Sequence, residues 1–146
     1  MKKIITLAIL QLCLSGNAFA RDTVDALSIE SALSDEKVMS AVGTDVKFYF
    51  GDQKHGKILQ NFGEGKTNKK TNAFNKTDEE ACQWAFASAL LSLKEKALKE
   101  GGNAVVNIKS NYKNNLTSSN TTFQCGAGAL MAGVALVGSV VKIKAL

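Results

Sequence analysis

The chain has 146 residues, 45% of them apolar and 21% charged, with no proline. Those proportions exclude a disordered protein and a multi-span membrane protein, and they fit one modest domain. The formal net charge is +5, and the absence of proline argues against a rigid stalk or linker.

The first twenty residues read as an export signal. Lys2 and Lys3 make a basic start, residues 4–14 are apolar apart from Thr6 and Gln11, and Ala18-Phe19-Ala20 precedes Arg21. The apolar run is short for a bilayer span. Cys13 follows Leu12 and lacks the small residue usual before a lipidated cysteine. The expectation is a signal peptide over 1–20 and a single soluble domain over 21–146, periplasmic or secreted. That domain holds two cysteines, Cys82 and Cys125, and in an oxidising compartment an even pair reads first as a disulfide.

Within 21–146 the charge falls to +3, and its excess is local. Residues 53–76 contain Lys54, Lys57, Lys66, Lys69, Lys70 and Lys76 against Glu64 alone.

In chain order, residues 23–27 suggest a short strand and 28–42 a weak helix closed by Gly43. Residues 45–50 alternate, with Val46, Phe48 and Phe50 on one side, which predicts a half-buried strand. After a polar turn at 51–56, residues 57–62 return as a second strand, and the two read as a hairpin. Residues 63–76 are Gly, Lys, Asn and Thr with little apolar content, and are expected to form an exposed, mobile loop. Within it Lys66, Lys69, Lys70 and Lys76 offer an anion-binding loop.

The strongest element starts at Thr77. Thr77 and Glu80 have the spacing of a capping box, and Asp78, Glu79 and Glu80 suit the positive end of a helix dipole. Gly101-Gly102 supplies a left-handed stop. One stripe of this helix carries Cys82, Ala85, Phe86, Ala89, Leu90, Leu93 and Ala97, and should face a sheet. A narrower stripe, Trp84, Ala87, Leu91 and Leu98, needs cover from the C-terminal segment or a partner subunit. Residues 103–110 form a further strand, 112–121 a polar turn, 122–125 the start of a strand, and 136–143 the last strand. Residues 126–141 carry no charge. They read as a buried turn and strand of small residues, with a membrane hairpin as the alternative.

Chemistry-bearing motifs are sparse. Gly51-Asp52-Gln53-Lys54-His55-Gly56-Lys57-Ile58 approaches the phosphate-binding loop G-x-x-x-x-G-K-[ST]. Ile58 lacks the hydroxyl that magnesium requires, and the following segment reads as a strand rather than a helix. His55 is the sole histidine. It lies in a polar turn where no motif pairs it with a nucleophile. Once Cys82 and Cys125 are paired, His and Cys cannot supply three metal ligands. No catalytic, cofactor-binding or metal residues are therefore assigned, no ATP is expected, and the scattered Phe62 and Phe74 do not make a nucleic-acid stacking pattern.

Asp78-Glu79-Glu80-Ala81-Cys82-Gln83-Trp84-Ala85, Gly102-Asn103-Ala104-Val105-Val106-Asn107-Ile108 and Cys125-Gly126-Ala127-Gly128 resemble a family of small exported bacterial proteins of unknown function, often labelled "excinuclease ATPase subunit". Val46-Lys47-Phe48-Tyr49 and 67–73 extend the likeness from about Arg21 onward. The label does not suit a chain with a broken phosphate loop and an export signal. The turn at Gly102–Val106 and the strand at 136–141 are also similar to heavy-metal-binding-domain proteins and to the outer-membrane lipoprotein that senses envelope stress for the Rcs phosphorelay.

Together these readings predict an α+β domain, an antiparallel-rich sheet of about four strands packed against one long helix. The expected role is a non-enzymatic periplasmic binding or interaction module for a protein or envelope component, with an envelope-stress connection implied by the resemblance. Weak contact with anionic membranes through the basic loop is a further expectation. One alternative is an outer-membrane-associated protein using 126–141 and the basic loop. The other is a hydrolase or metal-dependent enzyme. Oligomeric state is left open.

Overall fold

The computed structural model describes residues 22–145. The expected export signal, the cleavage point before Arg21 and Cys13 lie outside the described residues.

The elements run β1 (Asp22–Ser28), α1 (Ile29–Ser34), α2 (Glu36–Val42), β2 (Lys47–Phe50), β3 (Ile58–Asn72), α3 (Asp78–Glu100), β4 (Ala104–Tyr112), β5 (Asn115–Thr117), β6 (Thr122–Gly128) and β7 (Met131–Ile143). All seven strands join one sheet, whose main path is β1-β6-β7-β4-β2, with β3 on β7 and β5 on β4. The spine is β7, rich in valine and free of acids, as suits a strand buried on both faces. It pairs antiparallel with β3 from Asn72↔Met131 to Ile58↔Ile143, with β4 over its second half, and with β6 at Gly126↔Gly133 and Ala127↔Ala132.

Helix α3 crosses one face of this sheet. Its start is fixed by Thr77, whose Oγ1 accepts from the Glu80 N–H at 3.1 Å, and its end by Gly101 at φ 86°. The wide stripe behaves as its spacing predicts: Cys82, Ala85, Phe86, Ala89, Leu90, Leu93 and Ala97 are all buried. Phe86 stacks on Phe123 of β6 at 4.1 Å between ring centroids and meets Phe50 of β2 at 5.8 Å. Cys82 is joined to Cys125 of β6 by a disulfide, with Cα atoms 5.9 Å apart. The bond pins the first turns of the helix to the strand beneath.

The α+β class holds, but the expected four-stranded, antiparallel-rich sheet with one helix does not. The sheet has seven strands and is mixed, because β2 runs parallel to β4, and two short helices precede the long one. The expected hairpin between 45–50 and 57–62 is absent: β2 joins β4, and β3 joins β7. Local alternation identifies a strand without naming its partner. The weak helix over 28–42 is two helices, broken where Asp35 Oδ1 accepts from the N–H groups of Lys37 and Val38 and so starts α2. That α2 packs on α3 and supplies the cover expected from the C-terminal segment or a partner: Ala87 is buried in one core with Val38 and Val42, Trp84 and Leu91 are half-buried, and Leu98 stays exposed.

The largest correction concerns residues 63–76. The expected mobile loop is mostly strand, since β3 continues to Asn72 and pairs along the whole of β7. Lysine and asparagine are weak strand formers, but here each backbone group on one edge of β3 meets a rigid, apolar strand. The uncharged stretch 126–141 is the end of β6, a turn and most of β7, with Ala132, Val134, Leu136 and Val140 in the core. Small residues are required there: a Cβ on Gly138 would come 2.9 Å from both Val105 Cγ1 and Ile108 Cγ1. Among the described residues no helix is long and apolar enough to cross a membrane.

A candidate anion-binding face

The face of the sheet away from α3 carries the basic residues. Along β3, Gly65 faces the helix, since a Cβ there would meet Leu93 and Lys96, and Thr67 on the same side is buried. The alternate residues Glu64, Lys66, Asn68 and Lys70 therefore point to the opposite face. Register sets Lys66 beside Val137 and Lys70 beside Gly133.

Across β7, strand β4 contributes to the same face through a bulge. Asn107 takes φ 52°, and the pairing with β7 shifts between Val106 and Lys109. In consequence both Val105 and Ile108 reach the α3 core, and Lys109, paired with Val137, joins the side of Lys66. Beyond it, Tyr112 pairs with Asn115 across Lys113 and Asn114, at φ 51° and 62°. Positive φ at both loop residues is the signature of a type I′ hairpin turn, which asparagine tolerates.

The Tyr112 ring lies over two facing glycines. A Cβ on Gly126 would overlap the ring, and one on Gly133 would stand 3.4 Å from it and 3.5 Å from Lys70 Cγ. Lys113 Nζ sits 5.5 Å from the centre of the same ring, a cation–π contact. A shallow groove of about 340 Å³ runs between the two basic strands, lined by Lys66 and Asn68 on one side, Asn111, Lys113 and Asn114 on the other, and Ala135 at its floor. Glu64 is the sole acid on β3, β4 and β7, and its Oε1 is 3.3 Å from Lys66 Nζ. Both groups are exposed, so the pair is weak and exchangeable.

The four lysines expected to act together do not form one cluster. Lys66 and Lys70 share the open face. Lys69, paired with Val134, lies on the other side of β3, and Lys76 sits in the turn before α3, where its Nζ donates to Asn72 O at 2.9 Å. Lys109, Lys113 and the asparagines of the β4–β5 turn were not among the expected residues. The Lys113-Asn114 pair, following the polar end of β4, was the available signal.

His55 is half-buried, its Nδ1 is 2.8 Å from Gly56 O, and its ring meets Tyr49 edge-on at 5.6 Å. Ile58, the position that breaks the phosphate-loop pattern, opens β3 rather than a helix. A depression of about 300 Å³ between α2 and the start of α3 contains Asp35, Glu79 and Glu80, with Lys37 beside them. Asp35 is occupied in capping α2. An apolar depression of about 290 Å³ lies between α2 and β2, walled by Leu33, Met39, Val42 and Phe48. Among the described residues no three of His, Cys, Asp and Glu are grouped so as to hold a metal ion.

No family model, curated protein or solved structure matches this chain.

Proposed function

We propose that this protein is a non-enzymatic binding module of the cell envelope that takes an anionic component on the open face of its sheet. The observation that carries the reading is the convergence of Lys66, Lys70, Lys109 and Lys113 on one face, with asparagines between them and Glu64 as the single acid on the strands concerned. A shallow surface of like charge with amide donors suits phosphate or carboxylate groups spread along a ligand. The Cys82–Cys125 disulfide fits an oxidising compartment, and the sequence resemblance to exported bacterial proteins supports the same setting. The likeness to the envelope-stress sensor makes stress signalling the process we would examine first.

Polyphosphate is a suitable probe. Replacing Lys66, Lys70, Lys109 and Lys113 by glutamine should weaken its binding by at least about tenfold at low salt, and the wild-type affinity should fall as salt rises. Equal affinity of the two proteins would refute the assignment of this face. Calorimetry with ATP tests the non-nucleotide side of the proposal and should show no more than salt-sensitive polyanion binding, weakened by magnesium, which neutralises part of the triphosphate charge, rather than strengthened by it.

A further inference from the structure

At the end of the sheet where β3 and β7 meet, two turns present large apolar side chains to solvent. Phe74 is 60% exposed, Leu130 64% and Met131 48%. They belong together: Asn72 pairs with Met131, and the Ala73 N–H donates to Leu130 O at 2.8 Å. Both turns are well braced. Asn72 Oδ1 accepts from the Phe74 N–H at 2.7 Å, the Lys76 N–H donates to Ala73 O, and Asn75 holds φ 58°. The side chains are thus held outward by ordered backbone.

The core does not explain them. From Ala132 onward the uncharged stretch is buried on β7, whereas Ala129, Leu130 and Met131 are exposed. Turn chemistry does not explain them either, because hairpin tips favour Gly, Asn and Asp. Three bulky apolar groups at one tip of a small domain are the pattern of a surface that meets something apolar.

The neighbouring charge says what. Lys70 lies two residues from Asn72 on the same strand and leads into the basic face, so a plane in contact with the tip would also face the first of those lysines. Asp78, Glu79 and Glu80 follow the tip at the start of α3. Their presence places the electrostatic attraction on the open face rather than on the tip, whose contribution is apolar. Apolar insertion together with basic groups set back from it is how peripheral proteins hold an anionic bilayer.

We infer that Phe74, Leu130 and Met131 insert into the interfacial layer of an anionic phospholipid bilayer, with Lys70, the first lysine of the open face, against its phosphates. The inference rests on the anion-binding reading of that face and names its partner.

The test uses co-sedimentation of the purified protein with phosphatidylethanolamine–phosphatidylglycerol vesicles and with phosphatidylcholine vesicles. Wild-type protein should bind the former, less so at high salt, and bind the latter poorly. The triple variant Phe74→Asn, Leu130→Asn, Met131→Asn should lose about tenfold or more in partitioning to the anionic vesicles. It should keep its thermal midpoint and its polyphosphate affinity, since the replaced side chains are exposed and off the groove. In a Leu130→Trp variant, brominated phosphatidylglycerol should quench the added fluorescence. Unchanged vesicle binding by the triple variant, or an unquenched Trp at position 130, would overturn the insertion. Polyphosphate binding without any vesicle binding would overturn it too while leaving the anion-binding face intact. Absence of both would remove the two proposals together.

Discussion

On the α3 side of the sheet, Phe123, Val134, Leu136 and Val140 are buried beneath Phe86, Leu90 and Leu93, and a disulfide ties the layers. On the other side the same β7 strand turns Ala135 and Val137 toward Lys66, Asn68, Lys70 and Lys109. Both faces are built on one set of strands: the period-two alternation of β3 sets Lys66, Asn68 and Lys70 away from the helix, and the bulge in β4 brings Lys109 to the same side. The first face supplies stability, since packing energy grows with apolar area removed from water. The second tolerates change, and exposed like charges there contribute little to folding. At the far end this division closes over: Ala104, Val106, Val141 and Ile143 form a small second core with Tyr49, and the Asn103 amide clamps Ile143 through bonds of 3.0 and 2.8 Å.

The contrast can be broken most severely at its apolar extreme. Phe86→Ala would leave a cavity beside Phe123 and Phe50, and should cost about 3–5 kcal/mol in chemical denaturation. A loss below about 1 kcal/mol would mean that the stack is not a packed core. Next comes the covalent tie. Cys82→Ala with Cys125→Ala opens a link between residues 43 apart and should lower stability by about 2–4 kcal/mol. Alkylation of the oxidised protein lacking residues 1–20, and so Cys13, should add no mass without reductant, and labelling of both cysteines would disprove the bond.

The open face has one position expected to behave like a core. Gly126→Ala would drive a Cβ into the Tyr112 ring and should cost about 1–3 kcal/mol. Adding Tyr112→Ala should recover part of that loss, and a double-mutant cycle showing no coupling would refute the contact. The smallest effect belongs to the lysines. Lys66→Gln with Lys70→Gln should change stability by less than about 0.5 kcal/mol, whatever it does to polyanion binding. A large destabilisation would erase the distinction between the two faces.

Elements governed by local chemistry were legible in the chain itself. The limits of α3 follow from Thr77 and Gly101, because capping involves groups within one turn, and its sheet-facing stripe follows from 3.6-residue spacing. The expected export signal and the pair of cysteines left within 21–146 pointed to Cys82 and Cys125, which the fold joins. The uncharged 126–141 stretch read correctly as strand and turn in its buried part, while its exposed tip at Leu130 and Met131 was hidden by a composition that looks the same in and out of a core.

What the chain alone determined is therefore the α+β class, the long helix with its caps, the apolar stripe beneath it and the pair of cysteines, all set by contacts between near neighbours or by composition. The tertiary structure decided the rest. It made a strand of the lysine-rich segment, because pairing along the whole of β7 outweighs the weak strand preference of Lys and Asn. It gave β2 a parallel partner 57 residues further on, at Lys47↔Ala104, where local alternation suggested a hairpin. And through the bulge at Asn107 it turned Lys109 onto the face of Lys66, a placement that strict alternation from Val105 would have reversed, because a strand's facing depends on every residue inserted before it.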